Sequence, residues 1–213
     1  MKILLILNKE KKINKKIISI TKKIFGNLTV VYDHENNFFN RKHNFDYTFS
    51  FLSKKILKRK FLNNTKFQNI NFHPGPPKYP GIGCYNFALY NSEKKYGCTA
   101  HLINEKIDNG RIMKVKIFKI KKNNLSSLIK QTYDEMLKLY KVVLNNLSKK
   151  KKISSNFKWN KKVYTRKDLE KLALININMK KKDVLNRIKS TFYKKGYGPY
   201  IKIYNYIFEL KYD

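Results

Sequence analysis

With 213 residues, 42% of them hydrophobic, the chain can fill a globular core. It has no apolar run of the roughly 18 residues that a spanning helix needs, so we expect no membrane partner. The formal charge of +34 would usually indicate nucleic acid, but only five of the 48 basic residues are arginine. Lys, Asn, Ile, Phe and Tyr share A/T-rich codons, so genome composition explains the charge. We therefore expect no nucleic-acid partner, although the positive field favours anionic substrates.

Two cysteines, Cys84 and Cys98, are too few for a disulfide framework. The N-terminal MKILLIL is too short for a secretory signal and lacks a small-residue cleavage site, so it is interpreted as a buried strand. We expect a cytoplasmic protein with reduced thiols. The cysteines lack a convincing third ligand, so no metal site is expected.

Strand and helix patterns alternate in the first part of the chain. Isoleucines recur at helical spacing between residues 13 and 24, and Gly26 is placed to end that helix. Strand patterns occupy 2–7, 28–32, 47–52 and 70–72, with a polar loop at 34–44 and a short basic helix at 53–62. This alternation predicts an α/β fold with a mainly parallel sheet wrapped by helices.

The second part of the chain continues the pattern and then changes character. A helix is predicted at 87–91, extended segments at 98–103 and 112–120, and a long amphipathic helix at 125–147. Later residues contain a polar stretch with Trp159, a helix near 181–190 and a hairpin in YIKIYNYIFEL. We expect a catalytic domain at 1–152 and a C-terminal extension at 153–213.

One region carries residues suited to chemistry. Asn71 and His73 are two apart at the end of a strand, so their side chains share a face. Asp108 arrives on a second loop, in the string IDNG. An amide, an imidazole and a carboxylate on converging loops suit acyl transfer. Taken alone, however, a loop histidine is usually structural, and Asp before Asn-Gly is more often a turn residue.

The string NFHPGPPKYPG…ALYN…YGCTAHLINEKIDNGRIM resembles the folate-dependent formyltransferase family over about 45 residues. The resemblance implies a Rossmann-like open sheet with helices on both faces, followed here by a short C-terminal helix and β-hairpin extension. It also implies that Asn71, His73 and Asp108 are catalytic and that 10-formyltetrahydrofolate is the formyl donor. No G-x-G-x-x-G follows the first strand, in agreement with a sheet that binds no dinucleotide.

The chemistry of formyl transfer suggests a role for each residue. Asn71 and a protonated His73 are expected to stabilise the oxyanion, and Asp108 is expected to keep His73 charged and to relay the amine's proton to the departing folate nitrogen. The family's folate pocket is built largely by main chain, and the matching residues are Phe51, Leu52, Ser53, Ile56, Glu105, Lys106 and Ile107.

Three branches of the family differ in their acceptor. Enzymes acting on glycinamide ribonucleotide carry a glycine-rich loop after the first strand, but LNKEKKINKK has no glycine there. Methionyl-tRNA formyltransferases add a full β-barrel, and too few residues follow 153. Sugar N-formyltransferases have short tails similar to VYTRKDLEKL and NRIKSTFYKKGYGPYIKI. This likeness favours transfer to a nucleotide-linked amino sugar, dTDP- or UDP-linked, for O-antigen or another surface polysaccharide.

The sugar-branch resemblance also implies contacts and partners. The expected acceptor-binding residues are Tyr79, His101, Trp159, Arg166 and Tyr197. A homodimer through the final hairpin is expected. Two alternatives stay open: a methionyl-tRNA formyltransferase-like enzyme, and a basic RNA-binding protein on a decayed enzyme scaffold.

Overall fold

The computed structural model describes residues 1–193 and 198–211 of the chain. Its centre is a six-stranded sheet with the order β2-β1-β3-β4-β5-β6. The strands are β1 Ile3–Leu7, β2 Leu28–Tyr32, β3 Phe45–Phe51, β4 Thr65–His73, β5 Lys95–Leu102 and β6 Ile112–Lys119. The first four strands pair in parallel, whereas β5 is antiparallel to both β4 and β6. The predicted α/β fold with an open, mainly parallel, Rossmann-like sheet is confirmed.

Helices cover both faces of this sheet. They are α1 Asn14–Phe25, α2 Asn36–Phe39, α3 Arg59–Leu62, α4 Cys84–Tyr90, α5 Leu125–Ser148, α6 Arg166–Ala173 and α7 Lys181–Thr191. Within β1, Leu5 packs in the cluster that contains α1 and α5, while Leu4 packs in the cluster that contains α2 and α3. Burial on both faces explains why β1 is apolar throughout rather than alternating.

Local predictions were partly right. Gly26, with a φ of 75°, ends α1 as predicted. The helix predicted at 53–62 is wrong for its first six residues, because only Arg59–Leu62 is helical. There the N–H of Lys54 donates to Asp33 Oδ2 at 2.9 Å and Leu57 is buried in the core. These tertiary contacts outweigh the helical tendency of the lysine-rich segment.

The extension contains α6, a helix that the hydrophobic pattern did not predict. Its N-terminus has a capping box, in which Thr165 Oγ1 accepts from the N–H of Asp168 and Asp168 Oδ2 accepts from that of Thr165. Leu172 of α6 packs in one cluster with Phe87 of α4. Arg187 of α7 donates from Nη1 to three carbonyls at the end of α6. This cation suits the negative end of the helix dipole.

The predicted hairpin forms from β7 Tyr200–Ile203 and β8 Tyr206–Glu209. All of β8 is exposed, including Ile207 at 62% and Phe208 at 56%. Apolar side chains beside a strand edge are typical of an association surface. Among the residues that the structure describes, no helix has the length and apolar character to cross a membrane.

Candidate active site

Polar side chains meet where β4 ends. Asn71 and His73 lie on the same face of β4, and the antiparallel strand β5 places His101 directly opposite Asn71. His73 and His101 are only 4% and 3% exposed. The register of β4 and β5 therefore brings an amide and two buried imidazoles together.

Asp108 links the two imidazoles. The loop after β5 places its Oδ2 3.1 Å from His73 Nδ1 and its Oδ1 3.3 Å from His101 Nε2. Oδ2 also accepts a hydrogen bond of 2.8 Å from the N–H of Gly81. Asp108 has a φ of 41°, a left-handed conformation that is uncommon for a residue with a Cβ. Strained residues of this kind cluster at functional sites.

Burial and charge oppose each other in this cluster. Burial would raise the pKa of Asp108, but the His73 and His101 rings and the N–H of Gly81 lower it to about 2. Burial lowers the pKa of His73 and outweighs the opposing effect of Asp108. The carboxylate is therefore ionised at neutral pH, while desolvation favours neutral His73. Asp108 thus raises the pKa of His73, in the sense expected from the sequence, but burial is the larger effect.

The hydrogen bonds of His101 define its tautomer. The carbonyl of Leu102 lies 2.8 Å from His101 Nδ1 and can only accept, so Nδ1 carries a proton. Nε2 lies 3.1 Å from the Asn71 amide nitrogen and 3.3 Å from Asp108 Oδ1, so it stands between a donor and an acceptor. His101 thereby orients the amide of Asn71.

His73 is flanked by two acceptors. In the neutral ring a proton on Nδ1 faces the Asp108 carboxylate, and the lone pair of Nε2 faces the Tyr79 carbonyl at 3.0 Å. A proton added at Nε2 converts that contact into a hydrogen bond and leaves both acceptors satisfied. His73 is therefore arranged to accept a proton at Nε2.

The lowered pKa of His73 predicts a loss of stability in mild acid. In the unfolded chain His73 binds a proton near pH 6.5, whereas in the folded chain it binds one only at lower pH. The free energy of unfolding therefore decreases as the pH falls below about 6.5. Urea unfolding should give a lower midpoint at about pH 5 than at about pH 8. His73→Gln should shrink this difference. An equal difference in the variant would contradict the assignment.

A cavity of about 400 Å³ opens beside the cluster, with Asn71, His73 and Asp108 in its wall. Six residues predicted for folate contact also line it, namely Leu52, Ser53, Ile56, Glu105, Lys106 and Ile107. Phe51 does not line the cavity, because its fully buried side chain lies on the other face of β3, against Tyr140, so its folate contact stays a prediction for the main chain. Aliphatic walls with a few polar groups suit a flat heteroaromatic ring with hydrogen-bonding edges.

The residues predicted for acceptor contact lie in different places. His101 belongs to the cluster itself. The side chain of Tyr79 is a correction, because it is 1% exposed and its hydroxyl donates to Glu93 at 2.7 Å. Arg166 begins α6 and is exposed, and Tyr197 lies outside the described residues.

Trp159 packs on the two imidazoles. Its ring is nearly perpendicular to those of His73 and His101, with centroid distances of 5.7 and 5.0 Å. Its Nε1 donates to the carbonyl of Gly110 at 2.7 Å. The contacts of the indole are thus with the histidines and with the turn that follows Asp108.

Sequence reasoning missed the backbone groups of the proline- and glycine-rich loop. The N–H of Gly81 and the carbonyl of Tyr79 hold Asp108 and His73 respectively. Gly81 has a φ of 90°, and a Cβ there would lie 2.2 Å from the carbonyl oxygen of Tyr164. The density of proline and glycine was the available signal, but it predicts a shaped loop without naming its partners.

Known proteins resemble this chain in sequence and in structure. It is 30% identical over 172 residues to the bifunctional polymyxin resistance protein ArnA of Wigglesworthia glossinidia brevipalpis, over 78% of this chain and 25% of that protein. The chain thus spans about a quarter of that relative's length.

Two solved structures share the fold. A sugar N-formyltransferase from Shewanella sp FDAARGOS_354 superposes with a TM-score of 0.78 at 19% identity, covering 100% of this chain and 97% of that one. An N-formyltransferase from Helicobacter canadensis, in complex with folinic acid and dTDP-3-aminofucose, gives 0.72 at 20% identity, covering 96% and 85%.

A family model agrees with these likenesses. The model for the formyl transferase family matches residues 7–144, which is more than half of the 213 residues and includes Asn71, His73 and Asp108. On this match, the chain belongs to the formyl transferase family.

Proposed function

We propose that this protein transfers a formyl group from 10-formyltetrahydrofolate to the amino group of a nucleotide-linked amino sugar. The observation that carries the proposal is the Asp108 carboxylate, which bridges two buried imidazoles beside Asn71 in the wall of a cavity. The Helicobacter canadensis relative is in complex with folinic acid and dTDP-3-aminofucose, which supports both substrate classes. The residues at 1–152 carry the reacting groups, and those at 153–213 serve acceptor contact, dimerisation or both.

The folate supplies an activated formyl carbon when bound, and residues lining the cavity, including Leu52, Ile56 and Ile107, are placed to hold its ring system. The Asn71 amide, oriented by His101, is a donor for the formyl oxygen as that oxygen gains negative charge. Preorganised donors of this kind act without reorganising during the reaction. Asn71 therefore contributes electrostatic stabilisation.

The acceptor amine must lose a proton as its bond to the formyl carbon forms, and the departing folate nitrogen must gain one. Asp108, with a pKa of about 2, holds its negative charge and is too weak a base to take that proton. His73 is the better carrier, because a proton gained at Nε2 stays on the ring and donates a hydrogen bond to the Tyr79 carbonyl, while Asp108 neutralises the positive charge of the ring. His73 then returns the proton to the leaving nitrogen.

Mass spectrometry tests this proposal. Purified protein would receive 10-formyltetrahydrofolate with a panel of dTDP- and UDP-linked amino sugars, and with methionyl-tRNA in a parallel reaction. Gain of one formyl group by a sugar, lost in His73→Gln, is the expected result. If only the methionyl-tRNA is formylated, the acceptor is a tRNA and not a nucleotide-linked sugar. Salt-dependent RNA binding without any turnover would favour the binding-protein alternative.

We further place the enzyme in the cytoplasm, where its product serves a surface polysaccharide such as O-antigen. Both cysteines, Cys84 and Cys98, are free and buried, which is compatible with a reducing compartment. Burial raises the pKa of each thiol to about 12, so both are unreactive packing groups.

We also propose that the hairpin pairs two copies of the chain. Ile207 and Phe208 expose apolar side chains on the two faces of β8, beside the edge of a two-stranded sheet, and a second copy of the chain can cover them. Sedimentation of the wild type should give the dimer mass, and the Ile207→Lys, Phe208→Asp double variant should give the monomer mass. Ile177→Lys is the control, since Ile177 is an isolated apolar residue of the extension at 81% exposure. A monomeric wild type at about 100 μM would overturn this proposal.

A further inference from the structure

Trp159 is the single tryptophan of the chain. It belongs to the extension and lies next to the catalytic cluster. Its ring lies against both His73 and His101, and its Nε1–H is committed to the carbonyl of Gly110. Gly110 is two residues beyond Asp108, so the indole contacts the imidazoles and also holds the turn that carries their carboxylate. An acceptor-stacking role, expected from sequence, leaves these contacts unexplained.

The segment that begins with Trp159, residues 159–164 and here called the strap, also holds the other side of the cluster. The N–H of Asn160 donates to the carbonyl of Pro77 at 2.9 Å, and that of Tyr164 to the carbonyl of Pro80 at 2.9 Å. The carbonyl of Tyr164 accepts in turn from Ile82 at 2.8 Å. The loop held in this way supplies the backbone groups that bind His73 and Asp108.

We propose that Trp159 is a positioning residue for formyl transfer. The strap of the same chain holds the catalytic cluster in place, so no second copy is needed for this. The inference rests on the proposed function and deepens it. The indole fixes the rings of His73 and His101 and the turn after Asp108, and it keeps water from the buried ring of His73. Misplacement of reacting groups by about 1 Å can slow a reaction about a hundredfold, so such a contact has a large effect on turnover.

Nuclear magnetic resonance of the histidine rings tests the proposal without substrate. The chain has four histidines, and His34 and His43 lie outside the cluster and serve as internal references. In Trp159→Leu the ring signals of His73 and His101 should move while the reference signals stay in place. Water entering beside His73 relieves the desolvation that lowers its pKa, so that pKa should rise. The titratable groups that face His73 in this test are Asp108 and His101.

Two further variants separate the indole from the strap. Trp159→Phe keeps an aromatic ring and loses the donor to Gly110, so its effects should fall between those of the wild type and Trp159→Leu. Phe157→Leu changes an aromatic residue that precedes the strap and is 54% exposed, and it should match the wild type. Should Trp159→Leu fail to fold, Trp159→Phe still decides the question.

Kinetics completes the test. Turnover should fall about 10- to 100-fold in Trp159→Leu, with the KM for each substrate changed less than about threefold. A raised KM for the acceptor with unchanged turnover would overturn the proposal and establish acceptor stacking instead. Unmoved His73 and His101 signals would also overturn it. If the wild type formylates no acceptor, the proposed function fails, while the histidine signals still decide the positioning role.

Discussion

Asp108→Asn should reduce formyl transfer at least about a hundredfold, the scale expected when one preorganised charge is lost. The substitution keeps the shape of the side chain and removes the negative charge that both His73 and His101 face. A cation on His73 then has no counter-charge, so proton transfer through Nε2 becomes unfavourable. The measurement is single-turnover formylation at saturating substrates, with circular dichroism as the check on folding.

The control for this experiment is Asp183→Asn, a surface carboxylate in the first turn of α7. It should react at the wild-type rate. Asn71→Ala and His73→Gln should show losses of similar size to that of Asp108→Asn, because the three groups act as a unit. A rate for Asp108→Asn within tenfold of the wild type would remove the carboxylate from the mechanism.

Gly110→Ala should abolish activity and strongly destabilise the fold. A Cβ at position 110 would lie 1.8 Å from the carbonyl oxygen of Leu102. That oxygen accepts from His101 Nδ1, so moving it also displaces an imidazole of the cluster. Overpacking alone costs about 1 to 3 kcal/mol, and displacement of the β5 terminus adds to this. Thermal unfolding would measure the loss.

Gly198→Ala is the matched control for this substitution. Its added Cβ meets nothing nearer than the carbonyl oxygen of Leu210 at 3.7 Å, an ordinary contact. We expect its melting temperature and turnover to match those of the wild type. If Gly110→Ala has the melting temperature and the activity of the wild type, the turn tolerates a Cβ at position 110. The inference that this turn holds Asp108 in place would then be wrong.

Much of the fold was predictable because local patterns and tertiary packing agree. The apolar strand β1, the helix ended by Gly26 and the final hairpin all follow from periodicity and turn residues. Predictions failed where distant contacts decide. The segment before α3 is held out of a helix by Asp33. The helix α6 was missed for another reason, because its local signal, the capping box of Thr165 and Asp168, was not used.

The sequence by itself determined which groups react and that two of them lie on one face of a strand. Asn71 and His73 share a face because side chains alternate along a strand, a rule that needs no tertiary information. The string from Asn71 to Met113 also identified Asp108 and the family.

Only the tertiary structure decided how these groups act on one another. Antiparallel pairing of β4 with β5 places His101 against Asn71, and the extension brings Trp159 onto both imidazoles. Burial, which lowers the pKa of His73 despite the adjacent carboxylate, exists only once the chain has folded around the ring. Strand register, long-range contact and desolvation depend on residues far apart in sequence, and no local pattern encodes them.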